Sequence, residues 1–383
     1  MARKWFTENH RIFQDSVRRF MEKEVVPNIE AWDEQRNIPR ELWKRMGEQG
    51  FLCPWLPDEY GGSGADFSYS VVVQEELARS TCTSLSTGVR VHADIVAPYV
   101  FKYASEELKR AILPGCATGD IILAVGMTEP DCGSDLAFLR TTALKDGTDY
   151  IINGQKTFIS NGIHCDWVVL AVRTDPKAEP AHRGVSLVLV PSGSPGFSKG
   201  KKLNKMGLHA QDTGELIFED CRVSQSHLMG QEGKGFKYLM ENLQQERLVT
   251  CIGAPVTAQR ILDMTIEYTR SRLVFGKPVS NHQYNAFKIA EMATEVEMGR
   301  TYVESLLEDH LEGKDITLRV SMGKWWLSEL LNRVAYQCVQ LHGGYGYMEE
   351  YPVCRLYRDV RMQTIAAGTS EIMKRIIAGM LQL

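Results

Sequence analysis

Three textures follow one another along the 383-residue chain. In the first, apolar residues recur at helical spacing. Ile12, Phe13, Val17, Phe20, Met21 and Val25 form one stripe through "HRIFQDSVRRFMEKEVV". "SYSVVVQEELAR" and "SEELKRAILPG" are predicted as further helices, the second with Ser105 as its N-cap and Glu107 in its first turn, and "EYGGSG" (59–64) as a loop. Near residue 120 the period shortens. "DGTDYIING", "QKTFISNG", "WVVLAV", "GVSLVLVPSG" and "GELIFEDCRV" are short β-rich runs set off by Asp-Gly, Asn-Gly and Ser-Gly turns, which predicts antiparallel strands and hairpins over about 120–228. From 233 the helical period returns, with amphipathic stretches at roughly 235–272, 281–312 and 316–342 and a last one after 369, lengths that suit a bundle. The expected class is α+β: an N-terminal helical domain (1–119), a middle antiparallel β domain (120–228) and a C-terminal helical domain (229–383). One stretch fits neither period. "RMQTIAAGTSEIMKR" (361–375) opens with a strand-like mix and passes through five small residues. It then starts a helix at Thr369-Ser370-Glu371. Such a turn brings backbone close to something while carrying almost no side-chain chemistry.

Composition narrows the classes. A net charge of −4 gives no general affinity for nucleic acid. No apolar run reaches the about 18 residues of a membrane span, and "MARKWFTENHR" lacks the apolar core of a signal peptide, so cytoplasmic residence is expected. Nine cysteines (53, 82, 116, 132, 165, 221, 251, 338, 354), an odd number without a CxxC pair, point to reduced thiols and away from a disulfide scaffold or a structural metal. No GxGxxG opens a βαβ unit, so a Rossmann nucleotide site is not expected.

Four further stretches carry candidate chemistry, each open to a plain structural reading. "MTEPDCGSD" (127–135) is a Pro/Gly loop of the kind that aims backbone N–H groups and hydroxyls at an anion or a polar ring edge. "GQKTFISNG" (154–162) puts Phe158 and Ser160 on one strand face, which suits a flat polar heterocycle or ordinary strand packing. "RSRLVFGKP" (270–278) ends a helix with Arg270 and Arg272, which either satisfy the helix dipole or bind pyrophosphate. "CVQLHGGYGYMEEYP" (338–352) ends a helix in a double glycine, a C-cap or a place of close approach to a ligand.

Taken in order, these stretches resemble the acyl-CoA dehydrogenase family. They match its "TEPxxGSD", "GxKxxISNG", "RxxFGK" and "QxxGGxGY" elements, and "GTSEI" supplies a fifth. The resemblance covers almost the whole chain, including the α–β–α plan, with a four-helix bundle as its last domain. It implies non-covalent FAD, a CoA-thioester substrate, α,β-dehydrogenation to the enoyl-CoA, a homotetramer, and electron-transferring flavoprotein as electron acceptor. By motif match, Thr128, Ser134, Phe158 and Ser160 would contact the flavin and its ribityl chain. Phe158 stands where Trp is commoner. Arg272, Phe275, Gln283, Gln340 and Gly344 would meet the FAD of a neighbouring subunit. Thr369 and Glu371 would lie at the pyrophosphate and ribose, and Ser134, Phe236, Gln244 and Arg247 would border the CoA.

The base is the open question. Many family members put a Glu just before the Gly of the small-residue turn, where this chain has Ala367. The stripe Phe236, Leu239, Met240, Leu243 continues at helical spacing to Glu246, Arg247, Thr250 and Cys251, which puts two ionisable residues on a buried side, although "QQER" also reads as a solvated face. The isovaleryl-CoA and long-chain branches carry their Glu before this Arg, and the motifs look most like the long-chain branch. The resemblance therefore assigns Glu246 as base and leaves Ala367 its backbone N–H, toward the thioester carbonyl. In "STGVRVHADIVAPY", Arg90 and Asp94 stand four apart with His92 between, either as an exposed ion pair or as polar groups in the acyl pocket. Leu85 does not support a glutaryl-CoA type. Asp94 keeps open an alicyclic substrate, cyclohexane- or cyclohexene-carboxyl-CoA, with Asp94 as acid/base. An acyl-CoA oxidase shares the same motifs, and the missing carboxylate at Ala367 leaves room for a silent acyl-CoA-binding flavoprotein.

Overall fold

The computed structural model describes residues 3–383. Among them, seven α-helices come first: α1 (Glu8–Phe20), α2 (Ile29–Gln35), α3 (Arg40–Glu48), α4 (Phe67–Arg79), α5 (Thr83–Val89), α6 (Ala97–Tyr103) and α7 (Glu106–Thr118). Ser105 caps α7 by accepting from the Leu108 N–H, and Asp66 caps α4 in the same way through Ser68. The stripe of α1 runs on through a π-helical turn, Met21–Val25, and buries Val17, Met21 and Val25, while Ile12 at its start is exposed. A second π-helical segment, Arg90–Val96, joins α5 to α6. Its wider turn packs Arg90, His92 and Asp94 all inside the protein, so the exposed ion pair is overturned.

The β region has seven strands in one curled sheet: β1 (Leu123–Gly126), β2 (Thr142–Asp146), β3 (Asp149–Ser160), β4 (Trp167–Arg173), β5 (Val185–Pro191), β6 (Phe197–Lys202) and β7 (Thr213–Ser224). β2–β3 is a hairpin turning at Gly147 with φ +60°, and β3–β7, β6–β7 and β4–β5 are antiparallel as expected. β1–β4 is not: those strands run parallel, Leu123 opposite Trp167. No hairpin links them, because the β2–β3 excursion lies between and returns the chain to the sheet in the same sense. Ile152, Val168, Leu170, Val188, Val190 and Phe218 fill the inner face.

The remaining elements are α8 (Gly235–Ser271), a small hairpin of β8 (Leu273–Val274) and β9 (Lys277–Pro278), α9 (Gln283–Leu311), α10 (Thr317–His342), α11 (Pro352–Val360) and α12 (Ser370–Met380). The sequence pattern missed α11, whose nine residues are opened by Pro352. It also misread 361–364, a 3-10 turn and not strand-like. One hydrophobic core runs from the N-terminal helices through α8, α9 and α10. On α8 the expected stripe is buried at Leu239, half-buried at Phe236 and Leu243 and exposed at Met240, and Leu248 and Ile252 add to the packing.

Candidate active site

The site is built from two sides. On the β side, the loop after β1 is held down by an ion pair inside the sheet. Lys156 of β3, fully buried, meets Glu129 at 2.7 Å and the Met127 carbonyl at 3.1 Å. Glu129 also accepts from the N–H groups of Arg140 (2.6 Å) and Thr141 (2.9 Å). The Thr157 N–H bonds the Thr128 carbonyl at 2.9 Å, so Thr128 is laid against the stretch of β3 that bears Phe158 and Ser160. A register shift between Lys156 and Ile159 and a left-handed φ of +60° at Phe158 bend the strand there. Ile159 still points into the core, and Phe158, 68% exposed, and half-buried Ser160 point out. Ser134 is exposed at the tip of the loop. Arg173 bonds the carbonyls of Ala137, Leu139 and Ala181, which fastens that loop to the turn whose His182 packs on Phe236 at 5.4 Å. A flat heterocycle with a polar edge and a hydroxylated chain fits this exposed ring and its adjoining hydroxyls.

On the helical side, Glu246 of α8 is only 5% exposed and Arg247 is buried beside it, so "QQER" is not a solvated face. Tyr99 of α6 donates to Glu246 Oε1 at 2.6 Å. Burial raises the Glu246 carboxyl to about 7, against the Tyr99 hydrogen bond and the Arg247 charge, which pull it back. Thr250 and Cys251 continue the buried side of α8. Gln244 accepts from the Ile316 N–H (3.1 Å) and the Thr317 hydroxyl (3.2 Å), which engages its carbonyl oxygen at the start of α10. Lys324 of α10 is buried among Cys251, Arg247 and Arg90, and burial lowers its amine to about 8. It donates to the Gly368 carbonyl at 2.5 Å and so ties the small-residue turn to the bundle. That turn is left-handed at both Ala367 (φ +54°) and Gly368 (φ +90°). The Ala367 N–H makes no hydrogen bond within the described chain. Thr369 caps α12 through the Ile372 N–H, and Glu371 is exposed in its first turn.

Asparagine links the two sides. Asn161, at the end of β3, donates to the Gly88 carbonyl (3.0 Å) and the Leu123 carbonyl (3.2 Å), fixing α5 against β1. Two residues on from Gly88, Arg90 leads into the π-helical segment. His92 there is fully engaged, with Nδ1 accepting from the Leu123 N–H and Nε2 bonded to the Cys116 carbonyl, and is structural. Asp94 is 2% exposed and accepts from Gln74 at 2.7 Å. Burial raises its carboxyl to about 6.

The residues expected against a neighbouring subunit share one exposed corner. Arg272 lies over the Tyr345 ring at 5.5 Å, beside Gly344, and Phe275 stands 6.2 Å from His282, next to Gln283. Gln340 is exposed in the last turn of α10. Tyr268, stacked on His342 at 4.3 Å, braces this corner. Sequence reasoning missed Tyr99, Lys324 and the Glu129–Lys156 pair. A lysine in the apolar run "SMGKWW" was the available signal for the second, and Tyr99 had none.

Comparison with known proteins shows the family and the fold. Residues 7–120, 124–221 and 233–381 match the N-terminal, middle and C-terminal domain models of acyl-CoA dehydrogenase. The chain belongs to the acyl-CoA dehydrogenase family. It is 45% identical to the pig mitochondrial long-chain specific acyl-CoA dehydrogenase over 98% of this chain and 87% of that protein. An acyl-CoA dehydrogenase structure from Geobacillus kaustophilus is 53% identical, covers all of both chains and superposes with a TM-score of 0.98. A glutaryl-CoA dehydrogenase from Mycobacterium smegmatis, solved in complex with FADH2, is 32% identical over 98% of this chain and 95% of that one, with a TM-score of 0.90. The chain is an acyl-CoA-acting oxidoreductase with the three-domain fold of this family. None of these relatives is named for an alicyclic acyl group. Among the described residues, no helix is long and apolar enough to cross a membrane.

Proposed function

We propose that this acyl-CoA dehydrogenase uses Glu246 as the base that takes the α-proton of the thioester. The carrying observation is a buried carboxylate, held by Tyr99 on one side and adjoining Arg247 on the other, on a helix that packs against α10, whose Lys324 holds the small-residue turn. Tyr99 donates to one carboxylate oxygen and leaves the other for the proton. The free N–H of Ala367, in a turn fixed by Lys324, hydrogen-bonds the thioester carbonyl and stabilises the enolate charge as it develops. Thr128, Ser134, Phe158 and Ser160 would hold FAD, with Thr369 and Glu371 toward its pyrophosphate and ribose. Ser134, Phe236, Gln244 and Arg247 border the CoA. Bound FAD would supply the acceptor for the hydride leaving Cβ, so that the substrate would lose two electrons while Glu246 holds the proton. Arg272, Phe275, Gln283, Gln340 and Gly344 complete the cofactor site of a neighbouring copy in a homotetramer, electron-transferring flavoprotein reoxidises the enzyme, and the enzyme works in the cytoplasm.

Anaerobic addition of an acyl-CoA to the FAD-loaded protein tests the base. Glu246→Gln is expected to keep its flavin and lose flavin bleaching; full bleaching at the normal rate in that variant would overturn the assignment. Peroxide release on substrate addition in air would favour an acyl-CoA oxidase.

A further inference from the structure

The π-helical segment carries two buried groups that the proposed chemistry leaves unused. Arg90 is 7% exposed. It makes no hydrogen bond and no ion pair within 4 Å to a described residue, and the charges that act on it are those of Asp94 and, more weakly, Cys251. Asp94 uses Oδ2 toward Gln74, but its Oδ1 is buried without a partner. The Ser70 hydroxyl faces the same carboxylate and pulls its pKa down, but reaches no partner with ordinary hydrogen-bond geometry. A buried guanidinium and a buried carboxylate oxygen left open are costly, and such groups normally find partners.

Both open groups lie beside the stretch of α8 that carries Glu246. The Gln245 side chain, adjacent to Glu246, donates to the Asp94 backbone carbonyl at 3.0 Å. Arg90, Arg247 and Lys324 converge on Cys251, and Lys324 reaches the Gly368 carbonyl of the turn. The segment Arg90–Val96 is therefore held against α4 and α8, with Arg90 facing Cys251 and the Lys324 amine of α10, and on the Glu246 reading the acyl chain beyond Cβ would run against it.

The kinds of acyl chain can be ranked by what they would leave unpaired. A plain hydrocarbon leaves both groups open. A terminal carboxylate satisfies Arg90 but sets its charge against Asp94. A hydroxyl accepts from the guanidinium and donates to Asp94 Oδ1 at once, bridging two groups that stand too far apart to pair directly. We propose that the acyl group of the preferred substrate carries a hydroxyl beyond Cβ, held between Arg90 and Asp94. This rests on the Glu246 reading above and specifies its substrate class; the α-proton and the hydride leave as before.

The test uses the FAD-loaded wild-type enzyme, anaerobic stopped-flow flavin reduction, octanoyl-CoA, its ω-carboxyl analogue, and octanoyl thioesters hydroxylated at successive carbons beyond Cβ. One hydroxylated isomer is expected to exceed octanoyl-CoA by at least about tenfold in kcat/KM, because a site built to bond a hydroxyl rejects the analogue without it. In Arg90→Met and Asp94→Leu that ratio is expected to fall toward one, with Arg90→Lys restoring part of it; the wild-type panel stands alone if a variant does not fold. If octanoyl-CoA or the ω-carboxyl thioester is preferred over every hydroxylated isomer, or if the ratio is unmoved in folded variants, the hydroxyl site is wrong. If all thioesters bleach the flavin equally, only this inference falls. If none does, the Glu246 reading falls and takes it along.

Discussion

Two of the sets of charges that the protein buries are finished differently. In the β region Glu129 and Lys156 are closed: the carboxylate accepts three hydrogen bonds and the amine donates two, all within 3.1 Å. Across the helices, Arg90, Asp94, Glu246 and Arg247 are open: Asp94 Oδ1 and Arg247 Nε have no partner, and Arg247 reaches Ser321 only at 3.4 Å. A closed buried pair fixes a loop. An open one is energetically poor in the resting protein and is best explained by a molecule that completes it.

Four substitutions or conditions would break or sharpen this contrast. The largest effect belongs to Glu246→Gln, for which flavin reduction by substrate should slow by about 10³-fold or more, read by anaerobic stopped flow. Next is Lys156→Met, which leaves the Glu129 carboxylate buried without its cation; a loss of about 3–5 kcal/mol in chemical denaturation and weakened flavin retention are expected, whereas opening an already open group would cost far less. Lys324→Met removes the charged donor from the Gly368 carbonyl, worth about 2 kcal/mol, and should slow flavin reduction about tenfold more than it weakens thioester binding, because it is the position of the Ala367 N–H that suffers. The smallest effect is on pH dependence. With a carboxyl raised from its ordinary 4.5 to about 7, the rate of flavin reduction should climb as pH rises to about 7 and then level. Stability moves the other way. Folding disfavours the charged form, so Glu246 contributes a penalty that is absent below its ordinary value, grows as pH rises from about 4.5 to 7, and stays constant above. Thermal melts should therefore show Glu246→Gln gaining over wild type, by about 1–2 kcal/mol, near pH 8 but not near pH 4.

Much of this was legible in the sequence, for reasons that differ by region. The long helices announced themselves because α8, α9 and α10 each keep their apolar period over many turns, and Ser105 named its own helix start. The loop motifs of the β side were legible because loops such as "TEPDCGSD" have residue types that only a few turns require. α11 was hidden because nine residues give little period to read. The parallel β1–β4 pair was hidden because strand direction depends on where an excursion returns, which local alternation does not record. The site was half legible. Helical spacing put Glu246 and Arg247 on a buried side, but the same spacing left Arg90 and Asp94 open between a surface pair and the acyl pocket, since a π-helical turn rotates side chains away from where a 3.6-residue period places them. Tyr99 and Lys324 act across long separations in sequence, and a single chain carries no sign of such contacts until it is folded.

The corner at Phe275 has one more consequence. Its ring is 93% exposed, at a left-handed φ of +52° on a tight hairpin beside Gly276. On the proposed arrangement this ring belongs to the cofactor site of another copy, so each copy holds its flavin partly on loan. Flavin content would then follow mass action: dilution should shed cofactor along with subunits, and added FAD should pull the subunits back together.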